Sequence, residues 1–266
     1  GLHILAIGEV QFQRGRDKCT MRTTCMIANV GQRDLKIDLS LAPPENRELA
    51  EQIARLTSEK PPRVREFGRR VMDAYETLHG ALVAPILDPI IGDLAARGER
   101  LTELVLVGTK QQDKRFMSGD TFVCAQVLAR LLPERHKAVL DDAVVRVHMV
   151  DGPPMDLNAM LLCYEALCKE IEAARVYAEC TGGTPACNMA LSLKGLEHFG
   201  DRLEILHMPE GGNAPTRLNV VDYLLRRQRR AALERLRARG DFDAVAGDPP
   251  VDSSKKVLEI ESLPHG

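Results

Sequence analysis

The chain has 266 residues, ample for a large core, and its 44% apolar and 28% charged residues are those of an ordinary globular protein. A formal net charge of −2 removes global basicity as a route to DNA or membranes, so any anion site must be local. Aromatic residues make up only 4% and Trp is absent, which argues against a nucleic-acid surface of stacked rings.

The seven cysteines (Cys19, Cys25, Cys124, Cys163, Cys168, Cys180 and Cys187) contain no C-x-x-C pair and no Cys/His zinc spacing. Several sit in apolar runs and read as reduced thiols of a cytoplasmic protein. No run approaches about 18 apolar residues, and no signal-peptide pattern opens the chain.

Taken in order, residues 1–24 form an N-terminal extension with a strand-like run, Leu2–Val10, that fits an edge strand or a hairpin partner. Met26–Val30 is a compact apolar strand that ends in the polar turn Gly31-Gln32-Arg33-Asp34. Such a turn suits the ligand crevice of an α/β sheet, and it equally suits a solvated Arg–Asp pair. Residues 42–100 read as a helical excursion, with Leu49, Ile53 and Leu56, then Val64, Phe67, Val71, Tyr75 and Leu78, at helical spacing.

A second buried strand, 103–107, ends in Gly108-Thr109-Lys110-Gln111, and Asp120-Thr121 is expected to cap the helix that follows. Val144–Val150 is a third strand, ending at Asp151. In it His148 alternates with apolar neighbours and reads as structural. A helix from Asp156 to about Ala174 leads to a fourth strand, 176–180.

Thr181-Gly182-Gly183-Thr184 then joins that strand to a helix opened by Pro185, whose missing N–H costs nothing in a first turn. Two glycines permit positive φ, and the helix N-terminus offers free N–H groups, so the turn is a candidate phosphate cradle. A tight turn without a ligand is the alternative. A fifth strand at 203–208 completes an alternation that predicts an α/β, Rossmann-like parallel sheet with helices on both faces. An arginine-rich helix over 220–239, read as a solvated surface helix, adds a C-terminal helical appendage, and 257–261 could add a strand.

No G-x-x-x-x-G-K-[ST], G-x-G-x-x-G, G-x-S-x-G or H-E-x-x-H occurs. With N-V-G-Q-R-D-L after the first strand, G-T-K-Q after the second and T-G-G-T-P-A-C-N-M-A-L after the fourth, the chain resembles the CARF family (CRISPR-associated Rossmann fold). The resemblance covers about residues 25–225. It implies a cytoplasmic homodimer that binds a cyclic oligoadenylate, with cyclic tetra-adenylate preferred, across its two-fold axis and switches an effector in type III CRISPR antiviral signalling.

Carried onto this sequence, the ligand-binding set is Gly31, Gln32, Arg33 and Asp34, then Thr109, Lys110 and Gln111, then Asp151, then Thr181, Gly182, Gly183, Thr184 and Asn188. No cofactor, metal, membrane or direct DNA contact is implied. Many relatives carry Lys where this chain has Pro185, which argues against cleavage of the ring. Relatives also continue into an effector domain, so residues 226–266 are expected to open a linker, or the sensor acts through a partner protein. A metal-independent ring nuclease and an unrelated α/β nucleotide-binding enzyme remain the alternatives. The expected dimer face is formed by the apolar stripes of the helices that start near 121 and 185.

Overall fold

The computed structural model describes residues 23–219 together with 230, 231, 233–235 and 238. The chain divides into two units, Gly1–Leu218 and Asn219–Gly266. In the second unit the described residues from Arg230 onward are helical, and Arg230 pairs with Glu234 one turn on at 3.3 Å. The run Leu2–Val10, most of the helix expected over 220–239 and the strand at 257–261 lie outside the described residues.

The first unit is built from β1 (Thr24–Asn29), β2 (Lys36–Ile37), α1 (Arg47–Ser58), α2 (Val64–Asp73), α3 (Tyr75–Leu78), β3 (Leu82–Val83) and α4 (Leu87–Ala96). There follow β4 (Glu103–Thr109), α5 (Phe122–Arg135), α6 (Lys137–Leu140), β5 (Val144–Val150), α7 (Leu157–Lys169), β6 (Arg175–Glu179), α8 (Pro185–Phe199), β7 (Leu203–His207) and β8 (Thr216–Leu218).

The main sheet runs β5-β4-β1-β6-β7-β8, with every pairing parallel except β7–β8. The chain moves outward from β1 to β4 and β5, then crosses to β6 on the other side of β1. That reversal makes the carboxyl ends of β1 and β6 the topological switch point, where such sheets open a crevice. The expected α/β, Rossmann-like sheet is the observed fold, with β8 added at one edge.

Both faces are covered. Along β1, Met26 and Ala28 join a core with Leu104, Leu106, Tyr177 and Leu206, roofed by α1, α2, α4 and α5. Cys25 and Ile27 point to the opposite face, which α7 and α8 cover with Met160, Tyr164, Ala190 and Leu191. Period-two alternation therefore carries two cores on one set of strands, and it explains why the strands read as unbroken apolar runs.

Three expectations need correction. The helix after Asp156 ends at Lys169, not near Ala174, because the N–H groups of Ala174 and Arg175 pair with Thr23 O at 2.8 and 3.2 Å to start β6. Thr121 holds the N-cap position of α5 but makes no capping bond. Its hydroxyl accepts instead from Thr109 N at 3.1 Å. Of the apolar stripe expected on α5 (Phe122, Val123, Leu128, Leu131 and Leu132), the three leucines are buried within the core, and only Phe122 and Val123 are half-buried.

Candidate functional site

The turn after β1 is closed by its own side chain: Gly31 N–H donates to Asp34 Oδ2. Asp34 is 1% exposed, and its Oδ1 has no hydrogen-bond partner among the described residues. Burial, with the Glu179 carboxyl close by, pushes Asp34 up from 3.8 to about 8, against the opposing pull of Gly31 N–H and Arg33. The solvated Arg–Asp pair is thus absent. Arg33 reaches outward to Glu210 at 3.5 Å, and both side chains are exposed.

The turn after β6 rests on a second buried carboxyl. Glu179 accepts from the N–H groups of Thr181 and Gly182, the latter at 3.2 and 3.3 Å. Burial raises it to about 7 despite those donors. Gly182 lies against Asn29 O and Asp34 Oδ2, with no room for a Cβ. Gly183 has φ +74°, and a Cβ there would meet Asn29 Cβ at 3.0 Å. The two turns are therefore interlocked through backbone contacts that only glycine permits.

Thr184 caps α8, accepting from Cys187 N at 3.2 Å and donating to Pro154 O. The N–H groups of Gly183 and Thr184 have no acceptor among the described residues, whereas that of Gly182 is committed to Glu179. Two donors thus remain at the positive end of α8, the arrangement that binds anions.

A polar chain holds the floor. Asn29 Nδ2 donates to Asn188 Oδ1 at 2.7 Å, and Tyr164 Oη donates to Asn29 Oδ1. Thr181 Oγ1 accepts from Met208 N at 2.6 Å and lies 3.4 Å from His207 Nδ1, which ties the turn to β7.

Three clefts that share lining residues run across the strand ends. The largest, about 530 Å³, lies among Arg33, Lys36, Ile86, Thr181, His207 and Gly211. The next, about 250 Å³, is lined by Gly31, Gln32, Arg33, Asp34 and Thr181–Gly183. The third, about 260 Å³, adds Thr109, Gln111, Phe116, Met155 and Thr184.

Of the residues singled out in the sequence, Gly31, Gln32, Arg33, Asp34, Thr109, Gln111 and Thr181–Thr184 line this groove, and Asn188 supports it from below through Asn29. Lys110 does not line it: its side chain enters a separate cleft with Arg65 and Arg69. Asp151 is exposed on the loop after β5 and lines none of the three. Glu179, Asn29, Tyr164, Lys36 and His207 join the site without having been foreseen. A carboxylate at the end of an otherwise apolar strand, Val176–Glu179, was the available signal for the first.

Chemically the groove offers backbone donors, the cations Arg33 and Lys36, the carboxyl groups of Asp34 and Glu210, and neutral hydroxyls. The Cys180 thiol is pushed up to about 12, chiefly by burial, so it is no thiolate nucleophile. Among the described residues no cluster of His, Cys, Asp and Glu could hold a metal ion, and no helix is long and apolar enough to cross a membrane.

No protein-family model and no curated protein matches the chain. Among solved structures it is similar to Enterococcus italicus Csm6 bound to cyclic hexa-2'-fluoro-hexa-dAMP, with a TM-score of 0.50 and 11% identity. The match covers 84% of this chain and 48% of that one, so the chain spans about half the length of its structural neighbour. The likeness is one of fold.

Proposed function

We propose that the groove binds a cyclic oligoadenylate, with cyclic tetra-adenylate the preferred ring, and that the chain is a sensor in type III CRISPR antiviral signalling. The observation that carries this is the pair of uncommitted N–H groups on Gly183 and Thr184, at the switch point beside Arg33, on residues that line two of the three linked clefts. A phosphodiester fits those donors, and an elongated groove fits a chain of nucleotides better than a single one. The neighbouring fold, solved with a cyclic oligonucleotide, agrees with this ligand class.

The ring sits across the two-fold axis of a homodimer, each copy giving the same loops to half of it. Exposed Met155, Leu162, Met189 and Leu193, contributed by α7, α8 and the loop before α7, supply an apolar face for the second copy. Met155 also lines the third cleft, so docking there would bring two grooves together. Ring occupancy then changes dimer geometry and switches an effector domain or partner protein.

Asp34 favours a second reading, cleavage of the ring. A ring 2′-hydroxyl loses its proton and attacks the adjacent phosphorus, the P–O5′ bond breaks, and the departing 5′-oxygen takes up a proton. That leaves a linear product with a 2′,3′-cyclic phosphate. A carboxyl poised near 8 on the cleft wall is matched to proton transfer at neutral pH. Incubation with cyclic tri-, tetra- and hexa-adenylate, followed by chromatography, tests both. Intact ring bound in stoichiometric amount supports the sensor; linear products that disappear with Asp34→Asn support the nuclease.

A further inference from the structure

Outside the groove, the cations are distributed unevenly. Arg65 and Arg69, four residues apart on α2, and Lys110, just after β4, enter one cleft of about 190 Å³ beside the first turn of α5. Arg70, next along α2, is paired with Glu66 at 3.1 Å. Arg69 has no acidic partner among the described residues, and Lys110 has only the Phe122 ring at 6.0 Å. Like charges are thus gathered from two elements with one carboxylate, Asp120, among them.

The gathering is built in. Gly68 lies between the two arginines, and a Cβ on it would meet Cys124 N at 3.1 Å and Val123 Cβ at 3.2 Å. Glycine is what lets α2 close on the start of α5 and bring Arg65 and Arg69 there. The first turn of α5 is uncapped, because the Thr121 hydroxyl is engaged by Thr109. Its positive end therefore adds to the field of the cations.

Asp120 gives the second half of the recognition. Only 2% of it is exposed, and its Oδ1 accepts from Gln111 N and Nε2 at 2.9 and 3.2 Å. Its Oδ2 has no hydrogen-bond partner among the described residues, with Arg65 Nη1 standing off at 3.8 Å. Asp120 lines the cleft, and a buried carboxylate oxygen without a donor is costly and calls for one. A ligand for this place must bring an anion for Arg69 and Lys110 and a hydroxyl for Asp120.

We infer that the cleft between α2 and the start of α5 is a second ligand site, for the phosphate ester of a small polyol such as a phosphorylated pentose. The volume suits a phosphate with one sugar and excludes an oligonucleotide. The site is separate from the main groove and stands whether or not that groove takes a cyclic oligoadenylate. Asp120 joins the two, since its Oδ1 fixes Gln111 on the wall of the other.

The test is calorimetric titration of the full chain with ribose 5-phosphate and, separately, inorganic phosphate. Ribose 5-phosphate is expected to bind saturably and at least tenfold more tightly than phosphate. Arg69→Ala and Lys110→Ala should each weaken it about tenfold. Arg70→Ala, the same charge lost from the same helix, should leave it unchanged. Both arginines are exposed, so these variants retain the fold. No saturable binding at millimolar ribose 5-phosphate, equal affinity for inorganic phosphate, or equal losses from Arg69→Ala and Arg70→Ala would each overturn the assignment.

Discussion

Asp34 Oδ2 occupies the space that a side chain on residue 182 would need. The turn after β1 and the turn after β6 are thereby keyed to each other through one carboxylate and one glycine, at the point where strand order reverses. Because Asp34 also accepts from Gly31 N–H, the key fixes both turns at once.

Gly182→Ala should therefore damage the site and the fold together. Its Cβ would collide with Asn29 O and Asp34 Oδ2, neither of which can move without breaking β1 or the turn. A loss of at least about 2 kcal/mol is expected in urea unfolding. Gly98→Ala has φ +70° and nothing within 4 Å, so it should lose only about 1 kcal/mol from backbone strain.

Stability should fall as pH rises. Asp34 and Glu179 sit at about 8 and about 7 in the folded chain, above their ordinary 3.8 and 4.5, so folding takes up protons. Their contribution is complete below those ordinary values and is lost as pH climbs through about 7 and 8. Thermal unfolding should show Tm declining across that window, and the decline should be shallower in Asp34→Asn. A Tm that rises through the window would contradict the buried pair.

Tyr164→Phe should cost about 1–3 kcal/mol, because it strips the donor from a buried Asn29 oxygen. It should also loosen Asn188 under the groove, and ligand affinity would report that loss.

The central strands were legible because each is buried on both faces and so reads as an apolar run. β8 and the pair β2–β3 were not: Thr216–Leu218 is exposed, and Lys36–Ile37 is too short to carry a period. The Gly31 and Thr181–Thr184 turns were legible as loops at the carboxyl ends of β1 and β6, since glycine and polar residues follow apolar strands there. Lys110 was misplaced because consecutive side chains diverge: Gln111 faces the groove and Lys110 the α2 side. Glu179 was missed although its place at the end of an apolar strand was a signal, because strand-end carboxylates are ordinarily solvated and its burial follows from the covered sheet.

The proposed dimer face is open to direct attack. Leu162→Glu and Met189→Glu place charge on exposed apolar positions of α7 and α8, so folding should be untouched. Light scattering at micromolar concentration should give a dimer for the parent chain and a monomer for the double variant. A monomeric parent, with and without ligand, would contradict the proposed assembly.

The most direct measurement is calorimetric titration of cyclic tetra-adenylate into the parent chain, Arg33→Ala and Gly183→Val. The expected result is one ring per two chains, with affinity about ten- to a hundredfold weaker in Arg33→Ala, the range for one charged hydrogen bond. Gly183→Val should lose at least as much, since a β-branched residue resists the φ of +74° on which the free N–H groups depend. The Arg33–Glu210 pair is exposed and contributes little to folding, so Arg33→Ala isolates the ligand term. Equal binding by all three chains, or no binding by the parent, would contradict the assignment of this groove as a cyclic oligoadenylate site.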